Sequence, residues 1–190
     1  IFLCNLVDLI IAIYFYQKVG VEIFYFVFAG LGISIFYVAK PIRLKNLGLG
    51  ELAIGLVYGP LMVGGTFMAL TGESFGSPAL NNAFLISIPF GLTVMTMSIG
   101  KHMDKYEADY AKPIYTLPVI IGMKWASRVC QFTIILFFIL SLFSVIEGHY
   151  AMVVVVLAIP RAIYVIKKFN EPIPDTQKEA FDIGLKGFST

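Results

Sequence analysis

The run Asp104-Lys105-Tyr106-Glu107-Ala108-Asp109 places three carboxylates within six residues. Hard divalent cations such as Mg²⁺ take oxygen ligands, and one or two carboxylates completed by substrate phosphates are a common way to hold Mg²⁺. On an unbroken helix Asp104 and Glu107 would share a face, while Asp109 would point about 140° away from Asp104. Either a helix ends here or only part of the set binds metal. Two like charges on one face repel when no cation lies between them. The plainer alternative is a solvated loop whose acids are neutralised by Lys105 and Lys112.

A second constellation has the opposite sign. Tyr37-Val38-Ala39-Lys40-Pro41-Ile42-Arg43-Leu44-Lys45 carries three cations within six residues, followed by Asn46-Leu47-Gly48-Leu49-Gly50-Glu51. Pro41 stops a helix, and the two glycines permit a tight turn back. Lys40, Arg43 and Lys45 could grip a phosphate through charge-assisted hydrogen bonds. The plainer alternative is a basic flank that meets lipid headgroups. A Mg²⁺-bound diphosphate would use both constellations, the carboxylates for metal and the cations for the remaining oxygens.

The elements that must position these residues are apolar. Of 190 residues 58% are hydrophobic, with mean hydropathy +0.85. Soluble domains are about 45–50% apolar, so lipid must be part of the solvent. A spanning helix needs about 20 apolar residues. Six such segments are read, at 1–16 (clipped at its start), 21–38, 52–70, 79–100, 126–146 and 150–166. They must be helices, because unpaired backbone is too costly in lipid and the alternation of barrel strands is absent. The expected fold is an all-α, polytopic transmembrane bundle over residues 1–170, followed by a polar tail at 171–190. The net charge of +2 gives no nucleic-acid signal.

The connectors after the second, fourth and sixth segments, with their flanks and the tail, hold every Lys and Arg except Lys18. Basic residues mark the cytoplasmic side. The reading is therefore a multi-pass protein of the cytoplasmic membrane, with both constellations and the tail on the cytoplasmic face. A small-solute transporter component is the alternative, but a transport route needs polar groups near the midplane, and these midplanes are almost wholly apolar. Gly59-Pro60, Gly64-Gly65, Pro89 and Pro160 interrupt the apolar runs, either for close helix packing or to line a kinked cavity. Asn81 and Asn82 are expected to cap the fourth helix. Cys4 and Cys130 read as core residues, and Asp8 as an acid in or near a span. His102 and His149 read as interfacial and solvated, and Lys124 and Arg128 as basic anchors.

The sequence resembles the UbiA superfamily of intramembrane prenyltransferases. The matching stretches are YVAKPIRLKNLGLGELAIGLVYGPLMVGGTF, Tyr37 to Phe67, and SIPFGLTVMTMSIGKHMDKYEADYAKPIYTLPVIIG, Ser87 to Gly122. The Gly-Leu-Gly-Glu turn and the Gly-Pro-Leu-Met-Val-Gly-Gly-Thr run look closest to the branch that makes menaquinone precursors. The resemblance implies transfer of a prenyl chain from a polyprenyl diphosphate to an aromatic acceptor, using Mg²⁺ held by two aspartate-rich motifs. It implies that Asp104 to Asp109 is the second motif, with Asp104, Glu107 and Asp109 as metal ligands. It also implies that Lys40, Arg43 and Lys45 bind diphosphate and that Tyr37 lies near the reacting carbon, so that Asp104, Asp109 and Tyr37 carry the chemistry. Two departures stand out. Lys105 occupies the position where the second motif's first aspartate is expected, with Asp104 one residue early. The first motif, Asn-Asp-x-x-Asp, is absent, so the reading expects a fragment of an eight- or nine-helix bundle whose N-terminal helices carried it.

Overall fold

The structure is a computed structural model that describes residues 2–112 and 114–170. The described residues are helical, without strands. Helix α1 spans Phe2–Val19 and α2 Ile23–Val38. A 3-10 turn at Leu44–Leu47 leads into α3, Gly50–Thr71. Helix α4 is Pro78–Met103; the short α5, Tyr106–Ala111, and α6, Leu117–Ile121, follow. Helix α7 is Met123–Ile146, and α8 runs over Tyr150–Lys168. The expected tail at 171–190 lies outside the described residues.

Six apolar helices stand where six segments are expected. Among the described residues four, α3, α4, α7 and α8, are long and apolar enough to cross a membrane. The 16 residues of α2 rise about 24 Å at 1.5 Å each, short of a hydrocarbon core of about 30 Å. The first half of α8 is 3-10 over Tyr150–Ala158, across Val153–Val156, four β-branched residues that favour helix weakly. Its second half, Ile159–Lys168, is α-helical, with Pro160 in the first turn, where a proline's missing N–H costs nothing.

Helix α4 is central, with α3 on one side and α7 on the other. Ile99 and Met103 of α4 pack with Ala126 and Cys130 of α7 into a buried cluster. The Thr96 and Thr133 hydroxyls lie 2.7 Å apart across the same seam, and each is also placed to donate to a carbonyl of its own helix, Leu92 at 2.7 Å and Val129 at 3.0 Å. The other seam is built from small residues. A Cβ on Gly91 would stand 2.5 Å from the Gly55 carbonyl oxygen, and one on Gly59 3.0 Å from Gly91 Cα. Gly64 and Gly65 lie against the rings of Phe84 and Phe26. These breakers therefore serve close helix packing. Around Pro60 the missing amide donor is absorbed by a π-helical turn, Val57–Leu61, within α3.

The start of α4 differs from expectation. Its N-cap is Ser77, whose Oγ accepts the Leu80 N–H at 3.1 Å, with Pro78 at the first helical position. Asn81 and Asn82 lie inside the helix and are exposed. A Ser-Pro pair suits both requirements at once: a side-chain acceptor for an orphan amide, then a fixed helical φ. At the same end of the bundle Glu22 Oε2 accepts the Phe75 N–H at 2.9 Å, and the Phe75 ring stacks with Phe26 and Phe84.

Candidate functional site

The basic constellation folds as a compact turn. Helix α2 ends at Val38, the Lys40–Pro41 peptide is cis, and Arg43 adopts a left-handed backbone with φ 48°. Gly48 closes the 3-10 turn with φ 69°, a conformation glycine takes without a Cβ penalty. Lys40 and Arg43 are exposed and Lys45 is half-buried. None of the three forms an ion pair among the described residues. Gly50 opens α3 beneath this turn: a Cβ there would stand 2.9 Å from Lys45 Cα and 3.3 Å from the Tyr37 ring. Tyr37, Lys45 and the first turn of α3 are thus packed together.

The acidic constellation breaks the helix, as one of the two sequence readings requires. Asp104 caps the C-terminal end of α4, Lys105 leaves the helical conformation, and α5 begins at Tyr106. Asp104 is half-buried, and burial raises its carboxyl to about 6, with the nearby Lys105 charge opposing the rise. Glu107 is exposed. Asp109 is 7% exposed, and its Oδ2 accepts a hydrogen bond from His102 Nδ1 at 3.1 Å. Among the described residues no three His, Cys, Asp or Glu side chains converge as a metal-binding group. Asp104, Glu107 and Asp109 therefore do not form one preassembled ligand set. His102, read as merely interfacial, orients the buried acid.

The segment after α5 joins the two constellations. The Asp109 carbonyl accepts from the Ile114 N–H at 3.0 Å, turning the chain toward α6. Helix α6 lies against the basic turn: a Cβ on Gly48 would stand 2.6 Å from Ile120 Cδ1 and 3.6 Å from Leu117 Cα. Glu51 fastens the contact by accepting the Leu117 N–H on Oε1 at 3.3 Å. That amide lies in the first turn of α6, where no helical carbonyl is available to it. Glu51 is 2% exposed, and sequence reasoning missed it by counting it with the polar connector. Its signal is helical spacing. Glu51, Gly55 and Gly59 fall at i, i+4 and i+8, one face of α3, and both glycines meet α4.

Other singled-out residues take plainer positions. Asp8 is exposed. Arg128 is exposed, its guanidinium 4.9 Å from the Trp125 ring centroid, and Lys124 is exposed. Cys130 is buried in the α4–α7 cluster.

The family model for the UbiA prenyltransferase family matches residues 2–188. The chain belongs to that family. It is 30% identical over 149 residues to the "UbiA prenyltransferase domain-containing protein 1" of Dictyostelium discoideum, covering 77% of this chain and 43% of that protein. It is 24% identical over 147 residues to a "2-carboxy-1,4-naphthoquinone phytyltransferase" of Synechocystis, covering 74% and 46%. It is 26% identical over 156 residues to "Chlorophyll synthase, chloroplastic" of Oryza sativa subsp. japonica, covering 80% and 40%. The chain thus spans less than half the length of these curated relatives. No solved structure matches it. Family membership and four spanning-length apolar helices make it an integral membrane protein.

The donors at the acidic end suit Mg²⁺ in kind, being hard carboxylate oxygens. Mg²⁺ needs only one or two carboxylates when phosphate oxygens complete the shell, so the absence of a three-acid cluster among the described residues is compatible with a shared metal–diphosphate site.

Proposed function

We propose that this chain supplies the diphosphate-binding face of an enzyme that moves a prenyl group from a polyprenyl diphosphate to an aromatic acceptor in quinone biosynthesis, of the menaquinone type. The supporting observation is the fastening of Leu117 to Glu51, with α6 seated on Gly48. It ties the acid-bearing connector to the turn that carries three cations without an ionic partner among the described residues.

Lys40, Arg43 and Lys45 take the diphosphate oxygens and stabilise the charge that builds as the allylic C–O bond breaks. The bonding electron pair leaves with the diphosphate. The Tyr37 face stabilises cationic character on the allylic carbon, and the lipid-embedded helices keep water away from it. An electron-rich ring carbon of the acceptor then forms the new C–C bond, and its hydrogen leaves as a proton to the released diphosphate, which restores the aromatic ring. Asp104 and Asp109, with Glu107, are the carboxylates that would hold Mg²⁺, which when bound supplies charge neutralisation on the leaving group. His102 keeps Asp109 oriented. In this reading both constellations face the cytoplasm from the cytoplasmic membrane, and the acceptor and prenyl donor arrive through the bilayer.

The test uses the full-length protein in membranes, supplied with labelled polyprenyl diphosphate, Mg²⁺ and a panel of aromatic acceptors. Mg²⁺-dependent formation of a prenylated ring is expected, with Arg43→Ala lowering it at least about tenfold, the scale of a lost charge-assisted hydrogen bond. No transfer to any acceptor, or full activity after Arg43→Ala, contradicts the proposal.

A further inference from the structure

The end of the bundle opposite both charged constellations holds a cavity of about 240 Å³, where the start of α4 meets the end of α7. Asn82, in this cavity, and Asp104 stand about 33 Å apart along α4 at 1.5 Å per residue, so the cavity is separate from the acid-bearing connector. Leu85 and Phe143 give it an apolar wall, and both are exposed. Asn82, Ser144, Glu147 and His149 give it polar groups.

Those groups are unequal in kind. Ser144 is buried and donates its hydroxyl hydrogen to the Leu140 carbonyl at 2.9 Å, so what it offers the cavity is an acceptor. The Glu147 carboxylate only accepts. Asn82 and a neutral His149 each offer both a donor and an acceptor. The side chains of Asn82, Glu147 and His149 make no hydrogen bond or ion pair among the described residues. The backbone beneath them is fixed, because the His149 N–H donates to the Ser144 carbonyl at 3.0 Å. Charge points the same way. The connectors at this end, 17–22, 72–77 and 147–149, carry Glu22, Glu73 and Glu147 against one cation, Lys18. Lys18 lies 5.4 Å from the Tyr14 ring centroid, and Glu22 accepts the Phe75 N–H.

An excess of acceptors with one carboxylate suits an ammonium group, which has three donors and no acceptor. The remaining donors of Asn82 and His149 suit an anion beside it. A trimethylammonium group fits poorly: it has no N–H, and the cavity offers the single phenyl ring of Phe143 rather than an aromatic cage. The volume falls short of the roughly 300–1,000 Å³ of pockets that enclose a whole small molecule, so a headgroup fits while its chains stay outside against Leu85 and Phe143. We propose that this cavity binds the headgroup of a membrane phosphatidylethanolamine, with the ammonium on Glu147 and Ser144 and the phosphate on Asn82 and His149. The bound lipid bridges the ends of α4 and α7, and its binding does not depend on prenyl transfer.

The test measures lipid binding to the full-length protein by native mass spectrometry. The probes are dioleoyl phosphatidylethanolamine, dioleoyl phosphatidylcholine and glycerophosphoethanolamine, which carries the same head without acyl chains. Wild type is expected to prefer the ethanolamine lipid over the choline lipid by about tenfold, the scale of a charge-assisted hydrogen bond. Glu147→Gln, at an exposed position, should bring that preference within about twofold. Glu73→Gln removes an acid from the same end but outside the cavity and should leave the preference intact. Equal binding of the two lipids by wild type, or an undiminished preference in Glu147→Gln, overturns the site. Loss of the preference in Glu73→Gln as well overturns it in favour of diffuse charge. Glycerophosphoethanolamine binding as tightly as the lipid overturns the bilayer as the source and leaves a soluble amine as the occupant.

Discussion

In the middle of the bundle α3 and α4 approach until Gly91 has no room for a methyl group beside the Gly55 carbonyl. At the charged end, one to two turns away along α3, Gly48 and Gly50 are crowded by α6 and by the turn itself. The same residue type meets two different neighbours. In the middle the neighbour is rigid helix backbone, and the contact buries apolar surface on both helices. At the end the neighbours are a cation-bearing turn and a short helix held by one carboxylate, and the surrounding charges have no ionic partners among the described residues apart from the His102–Asp109 pair. Packing of the first kind maintains the fold; exposed cations without an ionic partner are free to meet an anionic ligand. The two regions should therefore fail in different ways when a methyl group is added.

The larger effect is expected in the middle. Gly91→Ala forces a Cβ to 2.5 Å from a helix carbonyl oxygen, and neither backbone can yield without parting α3 from α4. Overpacking of this kind costs about 1–3 kcal/mol or more. Thermal unfolding in detergent should show a clear fall in midpoint together with loss of all ligand binding, and an unchanged midpoint would mean the two helices are not in contact there. A smaller effect belongs to the charged end. Gly50→Ala sets a Cβ 2.9 Å from Lys45 Cα, displacing the turn while sparing the α3–α4 seam. Its unfolding midpoint should stay near wild type while diphosphate affinity falls about tenfold, the equivalent of one charge-assisted hydrogen bond. A matching fall in stability would erase the distinction between the regions.

Much of this was legible in the residues. Apolar runs of about 20 residues predict the order of the long helices, because lipid leaves the backbone no other solution. The Asp104–Asp109 run and the Lys40–Lys45 run stand out by charge alone, and the family resemblance assigned them a common ligand. What escaped depends on tertiary contact. Glu51 reads as one more polar residue of a connector, since its burial follows from the glycine face of α3 meeting α4. Asn81 and Asn82 drew the helix start away from Ser77, although Ser-Pro is the stronger start signal. The break after Asp104 was one of two open readings; Lys105, leaving the helix, decides it. The Asp109–His102 pair joins residues seven apart across that break; on a straight helix they would share a face but stand about 10.5 Å apart along the axis, so only the break lets them meet.

The central claim is that the basic turn and the acid-bearing connector act on one diphosphate. A double-mutant cycle on Lys45 and Asp109 tests it most directly, reading Mg²⁺-dependent affinity of the full-length protein in membranes for an unreactive prenyl thiolodiphosphate. If the two residues meet one ligand, Lys45→Ala and Asp109→Asn should each weaken binding, and the double variant should depart from the sum of the two by at least about 0.5 kcal/mol. Strictly additive losses, or binding indifferent to either residue, would contradict the account.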